Sequence, residues 1–340
     1  MKINREELLT CLETVRPGLS TQDIVEQSSC FAFRDGRVFT YNDEIYCSCQ
    51  CDVDFEGAVA ATPLISLLTK MTEEEIIIEA TETELRIRGR RRRAGIRMET
   101  EILLTDIRIP KSEDRWGKLP TEFCEAVDIV RRCAGTDDSI FSLTCVHITP
   151  DFVEAFDNAQ VSRYPLKIDM KRPILVHNAA LLHVGSSTVS EWSHSKSWLH
   201  FRNTEGLVIS CRLYIEDFPS LDKIINMKGT KVVLPDKLTE AVSIAEIFST
   251  TSDENEVKIT LKPSQMTVRG EGDTGWFNER KKIKYKGPEM TFNIAPRMIQ
   301  EVMKRRHECE IGDGLLKIDG GKFVYVTCLD MMEGDDGNDT

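Results

Sequence analysis

The sequence predicts an α+β fold built from one helix-and-strand unit used three times. Three observations carry that prediction. Amphipathic helices open at a regular interval, strand pairs with two-residue alternation follow each of them, and strands outnumber helices in every unit. The chain has 340 residues, which is long for one small core and suits two or three domains. The units repeat at a period of roughly 115 residues.

Each element follows from local pattern. The opening helices are EELLTCLETVR at 6–16, TEFCEAVDIVRRC at 121–133 and DKLTEAVSIAEIF at 236–248. Strand, turn and strand follow at 30–43, 139–158 and 257–272, where apolar and polar residues alternate as in half-buried strands. A second short helix is predicted at 61–71, 176–185 and 295–306, with Pro63 and Pro296 near the start, where a missing N–H costs nothing. Closing hairpins read at 75–89, 189–203 and 309–329. Charged, proline-containing linkers at 107–122 and 216–231 separate the units. The expected domains are therefore 1–115, 116–229 and 230–332, and the short tail 333–340, acidic and glycine-containing, is expected to be disordered.

Composition narrows the function. The formal net charge is −12, so an acidic body repels a duplex at long range and any DNA contact must be local, weak or topological. No apolar run is long enough to span a bilayer, and the N-terminus lacks the apolar stretch of a signal peptide, so the chain is expected in the cytoplasm, without a membrane partner. Eleven cysteines, an odd number without a regular framework, read as reduced thiols. Cys47, Cys49 and Cys51 share one face of a strand; with no fourth ligand in view they read as core packing and not as a metal site. GEGDTG at 270–275 matches the dinucleotide-binding pattern, but a strand-like RKKIKYK follows it where a helix is needed, and Glu271 and Asp273 would face a phosphate with negative charge, so it reads as a hairpin turn. The six histidines are scattered, His194 and His200 among them reading as surface or strand residues, and no carboxylate pair assembles; no catalytic residue, metal or cofactor is expected.

The repeats, with MK-x-x-x-REELL at the start, AATPLISLLTKM before TEEEIIIE, FVEAFDNAQVSRYPL, FPSLDKII, FNIAPRMIQEVMKR and FVYVTCL, resemble the bacterial sliding clamp, the beta subunit of DNA polymerase III, as a phage-encoded or otherwise remote member. The resemblance covers nearly the whole chain. It implies a clamp fold in which three domains form half of a ring, helices inside and sheets outside, closed as a head-to-tail homodimer around double-stranded DNA. It implies partners that dock through short peptide motifs, a polymerase and a clamp loader, and no enzymatic activity. On the repeat helices Arg16, Lys70, Arg131, Arg132, Lys237, Arg297, Lys304, Arg305 and Arg306 would face DNA; such charges equally suit a solvated helix face. The walls of the peptide groove, carried over by position, would be Leu143, Phe156, Val161, Val324, Val326 and Leu329. Asn158, Ala159 and Gln160 stand where the family often has Gly-His-Arg, which puts the peptide specificity in question.

The window ELRIRGRRRRAGIRME at 84–99 holds seven arginines. In the clamp pattern this hairpin ends at the subunit edge, where charge guards an open strand and selects a partner. Arg90, Arg91, Arg92 and Arg93, with Ile96 and Met98 as apolar contacts, would meet Ile247 and Phe248 of the next chain, near the acids Asp253, Glu254, Glu256, Glu271 and Asp273. DNA contact and a plain solvated loop are the competing readings of this run. For the whole chain the alternatives are a ring-like adaptor for transcription or repair and a repeated α+β metabolic enzyme, for which the sequence offers no site.

Overall fold

The computed structural model describes residues 1–20, 25–105, 107–111, 116–249 and 256–332, leaving aside the side chains of 138, 301 and 305. Contacts divide the chain into two units. The first holds Met1–Arg131, Cys145–Asp151 and Leu166–Glu216; the second holds Arg132–Thr144, Phe152–Pro165 and the residues from Asp217 on.

In the first unit, helix α1 (Arg5–Val15) starts where Asn4 caps it, its side-chain oxygen accepting from the N–H groups of Glu6 at 2.9 Å and Glu7 at 3.2 Å. Those two glutamates also complement the helix dipole. Leu8, Leu12 and Val15 form the buried face. Helix α2 (Ala61–Lys70) buries Ala61, Leu64 and Leu68. Helices α3 (Phe123–Val130) and α4 (Asn178–Gly185) pack against each other. Both are shorter than the sequence suggests. Arg131–Cys133 tightens into a 3-10 turn, and Ile174–His177 is a strand.

One antiparallel sheet runs through this unit. Its order is Lys2–Asn4, Glu75–Ala80, Glu84–Arg88, Arg93–Glu99, Gly57–Ala60, Cys30–Arg34, Arg37–Tyr41, Ile45–Gln50 and Val208–Tyr214. Val208–Tyr214 continues to Trp198–Arg202, Glu191–His194 and the two-residue strand Gly117–Lys118, and its far end pairs with Ile174–His177 and so with Cys145–Ile148. The 30–43 hairpin forms as expected, because Asp35 and Gly36 adopt φ of 52° and 65° in the tight turn. The segment 139–144 departs from expectation: Asp138–Thr144 is 3-10 in character, and pairing begins only at Cys145.

The second unit contains a sheet in the order Phe152–Phe156, Gln160–Pro165, Val324–Cys328, Leu315–Asp319, Glu308–Gly312 and Thr230–Val233. A five-stranded sheet follows the order Gly275–Lys282, Gln265–Gly272, Val257–Lys262, Met290–Ile294 and Asp330–Met332. A short helix α5 (Asp222–Ile225) interrupts what reads in sequence as a linker. Helices α6 (Leu238–Glu246) and α7 (Pro296–Arg305) pack together over a core that includes Val242, Ile259, Phe292, Val302 and Tyr325. The GEGDTG run is a hairpin, with Gly272 opposite Gly275. Gly270 is required for packing: a Cβ there would lie 1.9 Å from the Ala245 carbonyl oxygen, so α6 rests directly on the strand backbone. Residues 333–340, expected to be disordered, fall outside the described residues.

His200, read from sequence as a surface or strand histidine, lies on the strand Trp198–Arg202 and is fully buried. Its Nδ1 is 2.8 Å from the Ser210 hydroxyl and its Nε2 3.3 Å from that of Ser195. Burial, with a smaller push from His194, lowers its pKa from 6.5 to about 4. The unfolded chain therefore takes up this proton near pH 6.5 and the folded chain only near 4, so stability falls as pH drops through that window. Between pH 7 and 5 the loss from this residue is about 2 kcal/mol. Urea denaturation midpoints at the two pH values should show it, and His200→Gln should flatten the difference.

Candidate functional site

Apolar groups gather on the second unit where the strand Gln160–Pro165 pairs with Val324–Cys328, Val161 opposite Val326. Val161, Val326, Leu221 and Ile225 form the buried floor; Phe156, Phe218, Leu315 and Val324 are half-buried around it. The Phe156 and Phe218 rings meet edge-on, with centroids 5.2 Å apart at 85°. Four of the six expected groove residues, Phe156, Val161, Val324 and Val326, thus come together. Leu329 does not join them and is packed into the main core of the unit. Leu143 stands at the end of the 3-10 segment, its carbonyl accepting from the Gly135 N–H at 2.7 Å, and is outside the cluster.

Sequence reasoning missed Phe218, Leu221, Ile225 and Leu315. A signal was present in FPSLDKII: residues 218, 221 and 225 recur at helical spacing, yet the stretch reads as a linker because of its proline and charges. The neighbouring turn is tightly tied. Asp157 Oδ1 accepts from the N–H groups of Ala159 and Gln160, both at 2.8 Å. The Tyr325 hydroxyl donates to Gln160 Oε1 at 2.9 Å, and the Cys328 N–H donates to the Ala159 carbonyl at 2.8 Å. Asn158, Ala159 and Gln160 are therefore held against the Val324–Cys328 strand.

Beside the cluster, Arg163 faces Glu154 across the strand pair and bonds it from Nε and Nη2, each at 2.7 Å. Its Nη1 reaches Asp222 on α5 at 2.7 Å, and its guanidinium lies 4.1 Å from the centre of the Phe152 ring. That guanidinium holds the Asp222 carboxyl below its ordinary range. Glu154 is only 2% exposed, so Arg163 is its compensating charge and also anchors the helix that carries Leu221 and Ile225.

The arginine run forms a hairpin, Glu84–Arg88 with Arg93–Glu99, around a turn at 89–92. Arg90, Arg91, Arg92 and Arg93 are all exposed. Arg92 Nη1 donates to the Lys70 carbonyl at 2.9 Å, and the Arg90 backbone N–H bonds the Glu73 carboxylate. Arg86, Arg88 and Arg97 pair with Glu84, Glu79 and Glu99. Ile96 and Met98 are not available as outward contacts, being 7% and 3% exposed. Strand parity is the reason: Ile96 lies opposite buried Leu85, which leaves Gly95, Arg97 and Glu99 on the other face.

On the second unit the outer strand Gly275–Lys282 exposes Trp276, Asn278, Arg280 and Lys282 in alternation. Trp276 is 66% exposed, Ile247 at the end of α6 is 65% exposed, and half-buried Phe248 lies against Gly275. Trp276 is the apolar edge residue the sequence reading missed. Of the expected acids, Glu271 is paired with Arg269 at 2.8 Å and Asp273 is exposed, while Asp253 and Glu254 lie outside the described residues.

The helix cations divide. Arg16, Lys70, Arg132, Lys237, Arg297, Lys304 and Arg306 are exposed. Arg131 is turned in, bonding Asp128 at 2.7 Å. The Arg305 side chain lies outside the description.

No protein-family model matches the sequence, and no curated protein does. Solved structures do match. The DNA polymerase III beta subunit of Pseudomonas aeruginosa aligns over 98% of this chain and 100% of its own, at TM-score 0.83 and 14% identity. The beta chain of Streptococcus pneumoniae aligns over 96% and 98% at TM-score 0.85, and the Thermotoga maritima beta subunit over 98% and 99% at 0.84, each at 14% identity. This chain has the sliding-clamp fold. The fold extends over nearly its whole length, although sequence identity is low.

Removing the Arg163 side chain would leave the Glu154 carboxylate buried without its counter-charge. Arg163→Ala should destabilise the protein by about 3–5 kcal/mol in denaturant titration. Arg163→Ala combined with Glu154→Leu should recover much of that loss.

Proposed function

We propose that the chain is a sliding clamp, a processivity factor that encircles double-stranded DNA as a head-to-tail homodimer and tethers a polymerase through the apolar cluster around Val161 and Val326. The observation that carries this reading is the end-to-end match to bacterial clamps, in which both chains are covered almost completely. Three repeated domains per chain, 1–115, 116–229 and 230–332, would give six units in a closed dimer. A ring that is threaded needs no tight phosphate grip, which accords with a net charge of −12. The exposed helix cations would then supply a thin positive lining, sparse on α4, whose sequence NAALLHVG has no lysine or arginine.

The arginine hairpin and the outer strand carrying Trp276 are the two surfaces assigned to closure. The arginines crowd the exposed turn of a hairpin whose strands are paired within the sheet, whereas the Trp276 strand is an outer strand, and Trp276 with Ile247 adds the apolar contact. A contact of this head-to-tail kind closes after two copies when the geometry permits. The peptide cluster has the build of an anchor site: a packed floor, an aromatic rim and a rigid turn beside it. The role is to hold partners, without a chemical step. One clamp of this fold, from Pseudomonas aeruginosa, is known bound to griselimycin.

Light scattering over a dilution series should give twice the chain mass. Reversing Arg90, Arg91, Arg92 and Arg93 to Glu should give a folded monomer; a variant that stays dimeric removes the arginine turn from closure, and a wild-type trimer refutes the domain count.

The groove is tested separately by titrating a peptide from the C-terminus of the polymerase encoded with this chain, and griselimycin in parallel. Phe218→Ala and Val324→Ser should each weaken binding about tenfold or more. Unchanged affinity in both variants would move the site elsewhere.

A further inference from the structure

Helix α1 carries Cys11 at the border of its buried face, half-exposed. Beneath it, the strand Ile45–Gln50 and the residue after it present Cys49 and Cys51, 6% and 2% exposed. The two elements are bonded through these residues. The Cys11 Sγ is 3.4 Å from the Gln50 carbonyl oxygen, and the Cys49 Sγ is 3.5 Å from the Cys11 carbonyl oxygen. One accessible sulfur therefore lies where α1 crosses the chain segment that carries two buried thiols, with the Cys49 thiol bonded to the Cys11 backbone. The strand alternation in YCSCQCD reveals the pair in sequence, but the third member comes from the helix and is invisible until the fold brings it over.

We propose that Cys11, Cys49 and Cys51 form an oxidisable thiol site, in which a hydroperoxide oxidises Cys11 and one of the two strand thiols resolves it to a disulfide that staples α1 to the strand beneath. In the first step the Cys11 sulfur attacks a peroxide oxygen. The O–O bond breaks, the sulfur becomes a sulfenic acid, and the leaving hydroxide (or alkoxide) takes up a proton. In the second step a strand thiol attacks that sulfur, the S–S bond forms, the S–O bond breaks, and water leaves with the thiol proton. The sum is two thiols and one hydroperoxide giving one disulfide, one water and a second water or an alcohol.

The division of roles follows from the surroundings. The thiols of Cys49 and Cys51, in that order, lower the Cys11 thiol far below its ordinary range, which favours the nucleophilic thiolate. The bond to Cys11, and then burial, pushes the other two up, so they wait as protonated donors. Cys328 is the internal contrast. It is exposed, yet burial of part of its surface and the nearby Asp157 raise its pKa. If exposure alone set reactivity, Cys328 would oxidise first; if thiolate character sets it, Cys11 does.

The test is limited hydrogen peroxide on the full chain at neutral pH, followed by non-reducing peptide mapping, with dimedone as the sulfenic acid trap. The expected result is a cross-link between the peptide holding Cys11 and the one holding Cys47–Cys51, forming about tenfold faster than Cys328 is modified. Cys11→Ser, at a half-exposed helix position, should abolish the link while leaving the circular dichroism unchanged. The double variant Cys49→Ala with Cys51→Ala should leave Cys11 as a dimedone adduct. Oxidation of Cys328 ahead of Cys11, or a link that survives Cys11→Ser, would overturn the proposal. Should the buried double variant fail to fold, the wild-type map and Cys11→Ser decide between the outcomes. The oxidation chemistry is independent of DNA, polymerase and dimer state, so its failure leaves the clamp reading untouched.

Discussion

The first unit depends on one strand pair, Ile45–Gln50 against Val208–Tyr214. In register, Ile45 lies opposite Cys211 and Cys47 opposite Ile209, so the apolar faces coincide on one side of the sheet. Polar bonds fix the end of the pair. Arg212 donates to the Asp43 carbonyl at 2.6 Å and to its carboxylate, the Tyr214 hydroxyl bonds Glu44, and the Arg212 guanidinium lies 5.0 Å from the centre of the Trp198 ring. A one-residue slip would set Ile209 and Cys211 out of phase with Ile45 and Cys47 and break the bonds of Arg212 to Asp43 and of Tyr214 to Glu44. Helix α1 rests on the same strand, and so the register of this pair also sets where α1 and its thiol lie.

Much of this architecture is legible in sequence because period is a strong signal. The first helix, the 30–43 hairpin and the strands of 257–272 all lie where apolar spacing puts them. The failures have physical causes. SIFSLT has the residues of a strand, but its pairing starts only at Cys145, and the stretch before it curls into 3-10 turns. Ile96 and Met98, expected from the clamp resemblance as apolar contacts beside the arginines, face inward instead, because Ile96 lies opposite buried Leu85 and Met98 shares its parity. His200 resembles a surface residue among Trp and Ser, yet the two serine hydroxyls are what make its burial tolerable.

The candidate groove was half legible for a related reason. Its strand residues were reached through the clamp resemblance, whereas its other wall is supplied by Phe218, Leu221 and Ile225, from a segment whose helix is only four residues long. So short a helix has little intrinsic stability. It is held by burial of Leu221 and Ile225 and by the Asp222–Arg163 bond, and Arg163 is itself fixed by the buried Glu154. A charge that looks incidental in the sequence thus positions apolar groups some sixty residues further along.

The distance in sequence between the two halves of the central strand pair matters before the protein is finished. Asp43 and Arg212 are 169 residues apart. At a synthesis rate of about 5–20 residues per second, the strand Ile45–Gln50 leaves the ribosome on the order of ten seconds ahead of its partner. For that interval one margin of the nascent sheet has open N–H and C=O groups beside apolar side chains, the setting in which one chain pairs with another by mistake. The yield of folded chain in a cell then depends on what covers that margin during translation, be it a chaperone or a transient contact with α1.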